Sequence, residues 1–276
     1  MIVSSCQRWR DRRGSYRPAG EPIRTAAYEV AKMASDREAR GFVEAHHYSG
    51  SFPAALRRYG LYRREELVGV AVLSQPASQA ALEASLPFAR EGRAELGRLV
   101  LLDDVPANGE SWFLARAFEL ARGDGFAAIV SHSDPEPRRT AGGEVIFAGH
   151  IGTVYQATNA VYVGRSEPRT RRLFADGSVF SDAAWSKLRS RKRGWRYATE
   201  LLIAHGAPAP ASEIMPEADW RAWVRSAVDA TTVTFRHGGN HRYVWALDRA
   251  VCCPRLPRSW VAASAIPYPK WERAAA

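Results

Sequence analysis

Between Ser131 and Gly164 the chain sets out Ser131, His132, Ser133 and Asp134, then His150, Gly152, Thr153, Tyr155, Gln156 and Asn159. These side chains hydrogen-bond or carry protons, and acid–base chemistry uses such groups. A carboxylate such as Asp134 can take a proton from a weak nucleophile. The first four residues close an apolar strand, and the others follow a Gly- and Arg-containing loop where a helix begins. Strand ends of this kind are where α/β enzymes bind ligands. Each residue also has a plainer reading. Asp134 stands before Pro135, a common turn position, and Tyr155 could simply pack against a sheet.

Further candidates lie upstream. Arg98 interrupts the otherwise apolar run Glu95–Leu102. A buried guanidinium costs several kcal/mol unless paired. It is therefore either a structural partner of Glu95 or Asp134, or a clamp for an anionic ligand, which its planar fork suits. Ser111 falls in the first turn of the following helix. There it makes a local hydrogen bond or offers a hydroxyl to a ligand at the positive helix end. Asn108 can cap that helix, and Gly109 opens it. His47 and Tyr48 end a helix over Ser35–Ala45, where the dipole favours a histidine and a substrate contact is the alternative. His46, His132, His205, His237 and His241 are read as structural or surface residues.

Elements must position these groups. Periodicity predicts a hairpin of Arg58–Tyr62 with Leu67–Leu73, then a strand over Glu95–Leu102 and a helix over Glu110–Arg122. A buried strand over Phe126–Ser131, a short helix or turn at Tyr155 and a strand over Ala160–Gly164 follow. Two helices are predicted within Phe180–Ala207, parted near Arg193-Gly194, and another over Glu217–Val228. Thr231–Arg236 and His241–Leu247 read as a hairpin across His237-Gly238-Gly239-Asn240. This alternation indicates an α/β or α+β class.

The chain has 276 residues, 46% of them hydrophobic, with net charge +10 and an isoelectric point near 9.9. That is ample for one core with a smaller subdomain. The charge is clustered. Arg165–Arg196 holds ten Lys/Arg against three Asp/Glu, and residues 1–24 hold six Arg against two acids. Clustering favours an anionic partner such as nucleic acid over a uniform compositional bias. The basic stretch Lys187, Arg189, Arg191, Lys192, Arg193, Trp195 and Arg196 interleaves cations with an aromatic side chain, and a solvated helix face is its plainer reading. No apolar run approaches the ~20 residues of a membrane span. No apolar leader precedes the first arginines. The three cysteines, Cys6, Cys252 and Cys253, form no disulfide framework and no CxxC zinc pair. A cytoplasmic protein is expected.

Four segments in order resemble the Mom family of phage DNA-modification proteins. They are His47-Tyr48-Ser49 with Pro53; Glu95-Leu96-Gly97-Arg98-Leu99 with Ser111-Trp112-Phe113-Leu114; Ser133-Asp134-Pro135 with Gly149–Asn159 and Tyr162-Val163-Gly164; and Lys187-Leu188-Arg189 with Arg193–Tyr197 and Gly206-Ala207-Pro208. His241-Arg242-Tyr243-Val244 and Pro267-Tyr268-Pro269-Lys270 also fit. The resemblance implies an acyltransferase-like (GNAT) fold, in which Tyr155 looks like the tyrosine that gives a proton to the leaving group. It also implies an activity that converts the exocyclic amine of adenine to a carbamoylmethyl derivative and shields phage DNA from restriction.

From these readings we expect a GNAT-like mixed central sheet flanked by helices over 28–164. It would follow a loosely held basic arm over 1–27, carry a basic helical insertion over 165–228, and be completed by a hairpin and tail over 229–276. Asp134, Tyr155, His47 and Tyr48 are the candidate catalytic residues, and Arg98, Ser111, Asn108 and Gly109 the candidate donor-binding residues. The partner is double-stranded DNA. The donor is left unknown, as acyl-CoA, an aminoacyl group on tRNA or something unidentified, because Asp103 and Asp104 in the strand-to-helix turn repel phosphate. An iron ion is left open, with no ligand spacing that marks it. The host cytoplasm is the expected location if the gene belongs to a phage. An ordinary N-acetyltransferase of protein or small-molecule amines is the rival.

Overall fold

The computed structural model describes residues 5–76, 78–247 and 266–270. It divides into two compact units. One comprises the described residues up to Pro135, Gly149–Ser166 and those from Asn240 on; the other is Glu136–Ala148 with Glu167–Gly239.

The first unit is built on a seven-stranded mixed sheet. Its strands are β3 (Tyr28–Lys32), β4 (Ala55–Arg63), β5 (Glu66–Ser74), β6 (Arg93–Leu101), β7 (Ala128–Ser133), β10 (Val161–Arg165) and β14 (His241–Ala246), in the spatial order β10-β14-β7-β6-β5-β4-β3. Only β6 and β7 run parallel, and their pairing stops after Glu95 and Val130. Beyond that point the two strands part.

The sequence Val70-Ala71-Val72-Leu73 of β5 is apolar throughout because helices cover both faces. Val70 and Val72 pack with Ala39 and Val43 of α1 (Asp36–His46), and Ala71 and Leu73 with Phe113 and Leu114 of α3 (Gly109–Gly123). The β4–β5 turn places Arg64 and Glu65 at φ 50° and 70°, the conformation of a tight two-residue hairpin turn. The short helix α2 (Gln79–Ser85) buries Leu82 against Ala128 and Val130 of β7. The fold is therefore mixed α+β, with helices flanking a central sheet.

Three expectations are corrected. The arm expected to be loose forms a hairpin, β1 (Ser5–Arg10) with β2 (Arg13–Pro18), in register from Ser5↔Pro18 to Arg10↔Arg13. Asp11 and Arg12 turn it at φ 48° and 64°. Second, the two late strands do not form a hairpin with each other. β13 (Thr232–His237) pairs with β11 (Arg169–Phe174) in the second unit, while β14 inserts between β7 and β10. Their burial explains the split. Tyr243, Val244 and Trp245 are buried and suit a covered sheet, whereas Val233, Thr234 and Arg236 are exposed and suit an open one. Third, the second unit begins earlier than the basic insertion was expected to, taking in β8 (Arg138–Arg139) and β9 (Val145–Phe147).

The rest of that unit is β12 (Val179–Phe180), α5 (Asp182–Arg189), α6 (Trp195–Ala204) and α7 (Glu217–Thr231). Ser181 caps α5 by accepting from the Ala184 amide at 3.1 Å. Leu188, Ala198, Leu202, Trp220 and Val224 make its core. In the first unit the tail returns at Tyr268, whose hydroxyl donates to the Ala160 carbonyl at 2.7 Å. Cys252 and Cys253 lie outside the described residues. No helix among the described residues is long and apolar enough to cross a membrane.

Candidate active site

The site forms where β6 and β7 diverge. Gly97 is the hinge of that region. The β5–β6 register shifts here, so Val72 opposes Arg98 while Leu73 opposes Leu96. This is a bulge, which turns the strand's side chains from one face to the other. Leu96 faces the α3 core, and Val100 joins Val70 and Val72 on the α1 side. A Cβ at Gly97 would lie 2.4 Å from Ser74 Oγ, so a larger residue must displace that hydroxyl.

Arg98 thus reaches the segment that leaves α1. Its Nε and Nη2 donate to the Ser51 carbonyl and hydroxyl, each at 2.9 Å. Burial lowers its pKa, against the pull of Tyr48, Glu95 and Tyr155. Glu95 turns to His132 instead, 3.1 Å away. This carboxylate–imidazole pair at the strand fork was not singled out in the sequence. Its signal was a charged residue and a histidine on two otherwise apolar strands.

His47 and Tyr48 sit where α1 ends, and their rings lie 4.2 Å apart. His47 is buried, and its Nδ1 accepts the Ser49 amide proton at 3.1 Å. Burial, and then the charges of Arg98 and His150, hold its pKa well below the usual histidine value. His47 is therefore a neutral imidazole with its proton on Nε2.

From β7, Ser133 and Asp134 are both buried. Ser133 Oγ has no hydrogen-bond partner among the described residues. A buried polar group of that kind marks a place where a ligand or water completes the bonding. The Asp134 carbonyl accepts the His150 amide proton at 2.8 Å, joining the two ends of the loop excursion. Gly152, at φ 72°, starts the short helix α4 (Thr153–Ala157), and a Cβ there would lie 2.7 Å from both Tyr155 and Tyr243. Tyr155 is buried beside Tyr243 and Trp245, with ring centroids 5.4 Å away in each case. It shares a hydrogen bond with Ser131, and burial raises its pKa, so the hydroxyl keeps its proton at neutral pH. Tyr155 and Tyr48 lie 6.5 Å and 5.9 Å from His150 by ring centroid. The four residues expected to be catalytic thus belong to one unit, and His150 links three of them.

The expected donor-binding residues are spread more widely. Ser111 Oγ donates to the Asn108 carbonyl at 3.1 Å, the local bond. Asn108 is exposed and its side chain caps nothing. Gly109 is buried against Val105, where a Cβ would approach to 2.6 Å. In the acyltransferase-like fold that the resemblance implies, a coenzyme diphosphate would rest on main-chain amides at the turn between β6 and α3. Here the chain fills it. Arg8, from β1, is 2% exposed and forms an ion pair with Glu110. It donates to the carbonyls of Leu102 and Pro106 at 2.9 and 2.8 Å. The Ala107 amide donates to the Glu21 carboxylate at 3.1 Å, and the amides of Val105 and Gly109 donate to chain carbonyls. These residues do not fit a coenzyme diphosphate. Among the described residues no three His, Cys, Asp or Glu side chains gather as metal ligands.

In the second unit Lys187, Arg189, Lys192 and Arg193 are exposed and make no ion pair among the described residues. Arg191 instead lies 4.5 Å over the Trp220 ring and donates to the Met215 carbonyl at 3.1 Å. Trp195 packs edge-on against Trp220, 5.0 Å between centroids. Arg196 grips Glu213 with Nε and Nη2 at 2.7–3.1 Å.

The model of the Mom protein family matches residues 27–270. The chain belongs to the Mom protein family. Membership supports the DNA-modification role that the resemblance implies. No curated protein matches the chain. Among solved structures it is similar to a tandem GNAT protein from the clavulanic acid biosynthesis pathway, at 11% identity and TM-score 0.41, over 80% of this chain and 99% of that one. It is also similar to a Bacillus subtilis acetyltransferase solved in complex with CoA, at 11% identity and TM-score 0.34, over 79% and 97% of the two chains. An IAA acetyltransferase from Bacillus cereus gives 10% identity and TM-score 0.31, over 79% and 99%.

Proposed function

We propose that this protein is a transferase that modifies the exocyclic amine of adenine in double-stranded DNA, in the manner of carbamoylmethylation, and so protects phage DNA from host restriction. The observation that carries this reading is the Mom family match over residues 27–270. The buried Ser133-Asp134 pair and the protonated Tyr155 agree with it.

An adenine amine is a poor nucleophile because its lone pair is delocalised into the ring. Asp134 accepts a proton from it as the new N–C bond forms. The bond between the donor carbon and its leaving group breaks, and the Tyr155 hydroxyl supplies the proton that the leaving group needs. Neutral His47 offers its Nε2–H as a hydrogen-bond donor beside Tyr48. A base within a duplex must leave the stack to reach such groups. Arg98 holds the His47–Ser51 turn in place. The filled β6–α3 turn speaks against a donor with a coenzyme diphosphate, and an aminoacyl ester of tRNA is the class we favour: the amine attacks its carbonyl carbon, the tRNA hydroxyl leaves with the proton from Tyr155, and the aminoacyl adenine so formed must then isomerise to give a carbamoylmethyl group. The filled turn counts against the rival reading of an acetyl-CoA-dependent N-acetyltransferase.

The test is nucleoside mass spectrometry of plasmid DNA from bacteria expressing the chain or its Asp134→Ala variant. A new adenine-derived nucleoside, lost in the variant, is expected. Unmodified DNA together with tight acetyl-CoA binding by the purified protein would replace this reading with the acetyltransferase.

A further inference from the structure

The hairpin of β1 and β2 precedes the range matched by the family model, which starts at residue 27. Among the described residues it pairs with no other strand. A lone two-stranded hairpin is marginal in water, so its order comes from what it docks on. It docks on the candidate site at three places. Arg8 is buried in the β6–α3 turn through Leu102, Pro106 and Glu110. The Gln7 side-chain Nε2 donates to the Gly149 carbonyl at 3.0 Å, next to His150. The Arg12 amide donates to the His46 carbonyl at 3.2 Å, and its guanidinium lies over Gly50.

These anchors fix the residue between them. The Trp9 indole lies 4.5 Å from the Tyr48 ring and 6.2 Å from His150. It is half-buried, and it also borders a cleft of about 270 Å³ that includes His46, Leu102 and Asp103. A buried guanidinium with an ion pair and two carbonyls is a costly way to fasten a surface hairpin. It makes sense if the side chain next to it must be held in position. A rigid, partly open indole beside Tyr48 has the form of a stacking platform, which accepts any base by its π-face. The exposed Arg12 on the same hairpin suits a phosphate flanking that base, while Arg10 is shared with Asp103, 3.6 Å away.

We propose that the N-terminal hairpin is a wall of the modification site, with Trp9 as the surface on which the extruded base stacks. This rests on the nucleobase reading given above. The test compares the full chain with its Trp9→Phe and Trp9→Ala variants, by nucleoside mass spectrometry of co-expressed plasmid DNA and by thermal melting of the purified proteins. Loss of stacking at one base predicts a fall of about tenfold or more for Trp9→Ala, with Trp9→Phe within about threefold of the parent. Melting points should stay together, since the ring is outside the sheet core. Parent-level modification by Trp9→Ala would overturn the inference, as would an equal loss in both variants. No modified nucleoside from the parent chain would refute the base reading itself, and this inference with it. A loss confined to the Trp9 variants bears on the hairpin alone.

Discussion

His47 shows how one side chain links the fold to the chemistry. Its folded pKa lies below the unfolded value of about 6.5. Between the two values the unfolded chain binds a proton that the folded chain refuses. Its stabilising share is therefore complete above about pH 6.5 and is lost as pH falls toward the folded value. Urea unfolding at about pH 7.5 and about pH 5.5 should show a drop for the parent chain and a smaller one for His47→Gln; an identical drop would place the acid sensitivity elsewhere. Tyr155→Phe separates packing from proton transfer. The ring stays in its core position and one hydrogen bond is lost, about 1 kcal/mol. Modification of DNA should fall by about a hundredfold or more if the hydroxyl is the general acid. A fall no larger than the stability change explains would remove it from that role. Arg98, Asp134 and His47 could be singled out because they interrupt an apolar strand, follow one and end a helix, whereas Tyr155 was singled out by the family resemblance. Arg8 and Trp9 were not, because their partners Glu110, Tyr48 and His150 lie far along the chain, and no periodicity connects a basic arm to them.

Among the elements, the β6 bulge decides where Arg98 points. Gly97→Ala forces a Cβ into the buried Ser74 hydroxyl. Overpacking of this kind costs about 1–3 kcal/mol. It should also pull Arg98 from Ser51 and lower modification. Ser74→Ala removes the colliding oxygen, so the double variant should regain much of the melting temperature lost by Gly97→Ala. Additive losses would mean that the glycine is needed for some reason other than this contact. In the first unit β5, β6 and β7 were readable from apolar runs and α3 from 3.6-residue periodicity, whereas β3 and the short helix α2 were not read from the sequence. Nor was the strand β11, Arg-Thr-Arg-Arg-Leu-Phe. Its Arg172 lies 4.5 Å over the Trp185 ring, so a charged side chain does the covering that an apolar one does elsewhere. The β13–β14 turn misled for another reason. His-Gly-Gly-Asn has hairpin chemistry, but the strands on either side differ in how much they bury, and burial decided their partners.

At the scale of the whole molecule, charge distribution outlasts such local errors. The excess of cations in 165–196 was visible in the sequence, but the sequence could not tell which cations are free to meet DNA. In the second unit Arg191 and Arg196 are committed to Trp220 and Glu213, whereas Lys187, Arg189, Lys192 and Arg193 are exposed. Each phosphate contact releases counterions, so the slope of log affinity against log salt records how many contacts form, about 0.9 per contact on duplex DNA. Changing Lys187, Arg189, Lys192 and Arg193 together to Gln should weaken duplex binding and flatten that slope by up to about 3–4. Arg196→Gln should alter the slope far less, because its charge already faces Glu213. These changes leave the Trp220 core intact, so all variants should melt near the parent. A slope that is unchanged in the quadruple variant would move the DNA-contacting surface to the first unit. The hairpin cations Arg10 and Arg12 would then be the next residues to neutralise, and the same slope would count them.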